Sequence, residues 1–126
     1  MSVFVDADVL IGVLRDAPGA NIALAESRRR DARLLSITPV RTEVFRGMRP
    51  GEEAVTTGLL RLVEWVAVDV ELADRAGELG RTYRQSHSGI EVVDLLLAAA
   101  VERLGGDLLT RNVRHFPMFP GLRPAY

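Results

Sequence analysis

Three acidic residues stand where a carboxylate needs a reason to be. Asp6 closes the apolar run Val3, Phe4 and Val5, Asp94 interrupts a stretch that is otherwise aliphatic from Val92 to Val101, and Glu43 lies at the edge of an apolar helical stripe beside Val40 and Val44. An ionised carboxylate buried alone costs several kcal/mol, so Asp94 needs a partner. Two carboxylates about 4 Å apart repel by roughly 4 kcal/mol at an effective dielectric of 20. If the three converge, a cation must settle the repulsion. The chain has no cysteine and only two histidines, so the ligands are oxygens, which suits Mg²⁺ or Mn²⁺ and excludes a structural zinc site. A hard cation held by few carboxylates and several waters is an arrangement for work on phosphates.

Other polar residues have ordinary explanations. Asp8 is placed to cap a helix over 9–15, and Ser88 with Glu91 three residues on forms a capping box for a helix over 90–104. His115, next to Arg114, has no orienting carboxylate in the sequence and reads as a surface histidine.

The elements that must position the acids alternate. The pattern predicts strands at 3–5, 34–37, 65–68 and 107–110, and helices at 9–15, 20–30, 40–45, 52–63, 70–84 and 90–104, the last buried nearly all round. Residues 117–126 carry three prolines and are expected to wrap an edge. Such alternation predicts one α/β domain over 1–126, with a parallel sheet covered by helices on both faces. Asp6 then lies beyond the carboxyl end of a central strand, where open α/β sheets bind ligands.

The totals narrow the classes. With 126 residues, 48% of them hydrophobic, and a net charge of −1, the chain has enough material for a core and no global basic field. No apolar run approaches the roughly 20 residues of a membrane span, and the first residues lack the pattern of a secretory leader. A cytoplasmic location is expected. All 16 basic residues are arginine, which excludes any mechanism that needs a lysine. Arg28, Arg29, Arg30 and Arg33 cluster at a helix end, either as a solvated terminus favoured by the helix dipole or as a phosphate contact on RNA.

Four segments, Val5-Asp6-Ala7-Asp8-Val9-Leu10-Ile11, Thr42-Glu43-Val44, Val93-Asp94-Leu95-Leu96-Leu97-Ala98-Ala99-Ala100 and Leu109-Thr110-Arg111-Asn112-Val113-Arg114-His115-Phe116, resemble in order and spacing the PIN-domain ribonucleases. Within that family they are similar to the VapC-type toxins of bacterial toxin-antitoxin pairs. The resemblance implies a PIN-like three-layer α/β/α sandwich with a central parallel sheet of four to five strands. It also implies Mg²⁺-dependent hydrolysis of RNA phosphodiesters, a homodimer, and neutralisation by a small antitoxin. By position, Asp6, Glu43 and Asp94 would be the metal-binding acids, and Asn112 would take the place of a fourth acid. Thr110 would position water or phosphate, while Arg111, Arg114 and the cluster Arg28, Arg29 and Arg30 would hold the RNA strand. Asp8 stands where the family often has Ser, Thr or Asn.

Two other readings compete. Asp6-x-Asp8 after a strand also resembles the nucleophile motif of haloacid dehalogenase phosphatases, although that family uses a lysine and this chain has none. The other rival is a non-catalytic RNA-binding module on the same scaffold, which would be expected to lose one of the three acids.

Overall fold

Strands β1 (Ser2–Val5), β2 (Arg33–Ile37), β3 (Glu64–Val66) and β4 (Asp107–Leu109) form one sheet in the order β3-β2-β1-β4, in a computed structural model that describes all residues 1–126. Every neighbouring pair is parallel. β1 lies in the interior, with Val3, Phe4 and Val5 buried, as a continuous apolar run between two helical layers requires. β3 is shorter than the sequence predicts. Its pairing ends at Val66 opposite Ile37, because β2 turns into a helix at Thr38 and offers no further ladder.

Helices α1 (Ala7–Leu14), α2 (Pro18–Arg29), α3 (Thr38–Arg46), α4 (Glu53–Leu60), α5 (Val70–Tyr83) and α6 (Val92–Leu104) fill the connections. The strand order runs outward from β1 to β3 and then jumps back to β4. With right-handed crossovers, α1 to α4 cover one face and α5 with α6 the other. The packing agrees, since α1 contacts α2, α3 and α4 while α5 packs on α6. Arg75 with Glu102, and Arg103 with Asp69, clip α5 to α6. The core draws on both layers, with Leu10, Val40 and Val44 from one and Leu72, Leu97 and Ala100 from the other, all buried. Each fully buried Leu contributes about 1.5–3 kcal/mol.

Three helix starts differ from expectation, and each moves a polar residue. Asp6, not Asp8, caps α1: its backbone is extended and its Oδ1 accepts the Ala7 N–H at 2.8 Å. Strand therefore becomes helix with no loop between. α3 begins at Thr38, two residues before the expected start at 40, with Ile37 in the cap position, so Thr38 lies inside the helix. α6 starts at Val92 because Gly89, at φ +85°, takes the chain through a left-handed turn that carries Ser88 outside the helix. Glu91 is then the cap, and its partner in the capping box is Asp94. Asp94 thus sits in the first turn, not mid-helix, and the helix is not enclosed all round: Val92 and Leu104 are exposed.

Candidate active site

The order in which strands are added reverses between β1 and β4, and a crevice opens beyond their carboxyl ends at such a switch point. Asp6 follows β1, and Thr110 follows β4. The Thr110 hydroxyl donates to Asp6 Oδ2 at 2.8 Å and accepts the Asn112 N–H at 3.1 Å. Both side chains are buried, Thr110 completely. Burial, first, and then the charges of Asp8 and Asp94 push the Asp6 carboxyl up to about 7, against the opposing hydrogen bonds from Thr110 and Ala7.

Asp8 lies in the first turn of α1. Its Oδ2 accepts the Arg111 N–H at 2.9 Å, and its Oδ1 is buried with no hydrogen-bond partner. Asp94 enters from the first turn of α6, a helix antiparallel to the strands whose N-terminus therefore faces the same crevice. Its Oδ2 accepts the Glu91 N–H at 2.9 Å and lies 3.1 Å from His115 Nδ1. Glu43 reaches in from α3. Burial raises the carboxyls of Asp8, Asp94 and Glu43 alike, and for Glu43 the charges of Asp94 and Glu91 add to it.

These side chains surround a cleft of about 210 Å³. Asp6, Asp8, Glu43, Glu91 and Asp94 line it together with Asn112 and His115. None of the sixteen arginines does. Larger hollows exist elsewhere on the surface, but none concentrates unpaired negative charge in this way.

A family model for the PIN domain matches residues 3–119. The chain belongs to the PIN-domain family. This PIN domain is 40% identical over 122 residues to Ribonuclease VapC19 of Mycobacterium tuberculosis, covering 97% of this chain and 98% of that protein. It is 36% identical over 124 residues to Ribonuclease VapC10 of the same organism, covering 98% and 92%. Among solved structures, a toxin-antitoxin complex from Klebsiella pneumoniae superposes with a TM-score of 0.82 at 21% identity, covering 100% of this chain and 98% of that chain. At that identity the match speaks for the fold alone.

The PIN domain brings Asp6, Glu43, Asp94 and Asn112 to one cleft, as the family resemblance implied. It gives Thr110 a different duty. The hydroxyl is enclosed and bonded to Asp6 and Asn112, so it holds a carboxylate in place and does not face water or phosphate. Arg28, Arg29 and Arg30 stand at the end of α2 just before β2 begins, beside the amino ends of parallel strands and so a strand's length from the acids at the carboxyl ends. They are not part of this site. Two residues given ordinary roles belong to it instead. Asp8 is a cleft carboxylate rather than a cap, and His115 has its carboxylate in Asp94, 21 residues earlier in the chain. Only the fold makes that pair.

The donor set fits a hard divalent cation. Asp8 Oδ1 lacks a partner in a buried position, which costs on the order of 1–3 kcal/mol unless a positive group meets it, and the clustered carboxyls resist ionisation without such a group. No three histidine or carboxylate side chains stand close enough together to form a closed cage. A cation here would keep several of its waters, as Mg²⁺ does.

Proposed function

We propose that this PIN domain is an endoribonuclease toxin that hydrolyses RNA phosphodiester bonds with Mg²⁺ or Mn²⁺ at the acid cleft. A small antitoxin holds it in check, and it works as a homodimer in the cytoplasm. The observation that carries the reading is the composition of the cleft, with five carboxylates and no arginine at the topological switch point. The two ribonuclease relatives, matched along nearly their whole length, support it, and the solved toxin-antitoxin complex of the same fold supports the partner.

Asp6, Asp94 and Glu43 would hold the cation, partly through its waters, with Asp8 Oδ1 and Asn112 beside them. When bound, the cation supplies Lewis acidity, lowering the pKa of water and offsetting charge on the phosphoryl oxygens. The remaining work belongs to the chain. Thr110 fixes the Asp6 carboxylate through Oδ2, and the α1 N-terminus fixes it through Oδ1. Asp94 Oδ2 is anchored by Glu91 and His115, which leaves its Oδ1 free of protein hydrogen bonds. A cleft carboxylate orients the attacking water in line with the scissile bond. Arg111 is placed by its N–H bond to Asp8, and with Arg114 it contacts the phosphates that flank that bond.

The phosphatase alternative fares worse. Both Asp6 oxygens accept hydrogen bonds, from Ala7 N–H and the Thr110 hydroxyl, and the residue is 5% exposed, a poor disposition for a nucleophile that must attack phosphorus.

The test is expression of the wild type and Asp6→Ala in a bacterial host, followed by mapping of new RNA 5′ ends. New ends should appear with the wild type and not with the variant. Purified protein should cut the same RNA when Mg²⁺ is added and stop with a chelator. Cleavage retained by Asp6→Ala would overturn the assignment.

A further inference from the structure

A second cleft, of about 590 Å³, opens beside the acids. It lies between the α5–α6 connection and the single 3₁₀ turn at Val113–His115, and its polar lining is Ser86, His87, Ser88, Arg114 and His115, with Gly89 at the wall. His115 lines both clefts, so the two adjoin at its ring. Their chemistry is opposite. One collects carboxylates, whereas the other has no acid among its lining residues and contains an arginine and both histidines of the chain.

Three details indicate what this space receives. Arg114 is exposed and makes no ion pair, leaving its planar fork open to an anion. The His87 ring is exposed yet held: Ser86 Oγ and His87 Nδ1 share a 2.8 Å hydrogen bond, and the ring meets Tyr83 edge to face at 5.6 Å. An aromatic ring already fixed at the surface loses little entropy when a base stacks on it, and histidine is one of the side chains on which unpaired RNA bases stack. The third detail concerns Gly89. A Cβ there would stand 3.8 Å from His115 Nε2, an ordinary contact, so Gly89 borders the imidazole edge that the two clefts share. The volume is within the range of small-ligand sites, roughly 300–1,000 Å³.

We propose that this cleft is a nucleotide subsite. It takes the nucleotide next to the scissile phosphate, with its phosphate on Arg114 and its base against His87. The proposal takes its substrate class from the ribonuclease reading, and it assigns the 86–89 turn a part in choosing where RNA is cut.

With only two histidines, the imidazole NMR signals report the site directly. The full chain carrying Asp6→Asn, to prevent cleavage, is titrated with adenosine 5′-monophosphate and separately with inorganic phosphate. Binding of a labelled single-stranded RNA decamer is then measured with and without His87→Ala and Arg114→Ala. The nucleotide should shift the His87 ring signals and phosphate alone should not reproduce that shift. Each substitution should weaken decamer binding at least fivefold with unchanged thermal stability. In the cleaving enzyme, His87→Ala should raise KM with kcat nearly constant. Decamer affinity within twofold in both variants, a nucleotide titration that leaves His87 unmoved, or phosphate alone giving the full effect would each overturn the subsite. Binding with the His87 shift in a protein that cuts no RNA would support the subsite while removing the nuclease reading. Cleavage with His87 unmoved would do the reverse.

Discussion

His115 Nδ1 and the Glu91 backbone N–H meet the same oxygen of Asp94, Oδ2, at 3.1 and 2.9 Å. One oxygen is thereby assigned to structure and the other is left for the cleft. This division separates two substitutions that sequence alone would treat alike. Asp94→Asn keeps an acceptor for the Glu91 N–H and should hold the melting temperature within a few degrees, while cleavage falls at least 100-fold. Asp94→Ala also removes the cap and should cost about 1 kcal/mol more. Thermal unfolding and RNA cleavage of the two variants, measured side by side, check both statements.

Asp6 makes the protein's stability depend on pH in an unusual direction. A carboxyl at about 7 in the folded chain and near 3.8 unfolded stays protonated in the fold while the unfolded chain has already ionised. Stability is then fully present below pH 4 and is lost as pH rises toward 7, by about 4 kcal/mol at most for this group. The upward directions for Asp8, Glu43 and Asp94 have the same sign. Without divalent metal the protein should therefore melt higher at pH 5 than at pH 7.5, and Asp6→Asn should shrink the difference. Added Mg²⁺ should raise the melting temperature more at pH 7.5 than at pH 5, since a ligand stabilises only the state that binds it. A flat profile in chelator would contradict the burial of Asp6.

Tyr126 ties the tail to the site. Its ring lies under the Arg111 guanidinium at 4.7 Å, the Ala125 N–H donates to the Thr110 carbonyl, and a Cβ on Gly19 would stand 2.5 Å from both the Tyr126 Cβ and its ring Cδ2. Gly19→Ala should displace the ring and cost about 1–3 kcal/mol. In the Tyr126→Gly background, which removes the Cβ as well as the ring, the same change should cost much less, because the clash has no partner. Tyr126→Ala should also raise KM for RNA several-fold by releasing Arg111, whereas Tyr126→Phe keeps the ring face and should not. A double-mutant cycle on stability, with steady-state kinetics, measures all of this.

The arginine cluster gives a negative prediction. Replacing Arg28, Arg29 and Arg30 together by alanine should leave cleavage within twofold, because they stand at the opposite ends of the strands from the acids. Arg111→Ala should weaken RNA binding and lower the slope of log affinity against log salt by roughly 1. Salt titrations of RNA binding by the two proteins compare them directly.

The sequence by itself determined the alternation of strands and helices, and it marked Asp6, Glu43 and Asp94 as the acids that need a counterion. The physical reason is that apolar runs separated by amphipathic stretches can bury themselves in few ways, and carboxylates set among aliphatics need a common counterion. It did not determine the ends of the helices, since a cap depends on one residue's backbone angles. Hence Asp6 caps α1 in place of Asp8, and Glu91 pairs with Asp94 in place of Ser88. Tertiary structure alone decided which distant side chains meet. The switch point between β1 and β4 joins Thr110 to Asp6, the antiparallel run of α6 puts Asp94 against His115, and the parallel course of β2 carries Arg28, Arg29 and Arg30 away from the acids. Those relations depend on strand order and helix direction, which no local pattern of residues contains.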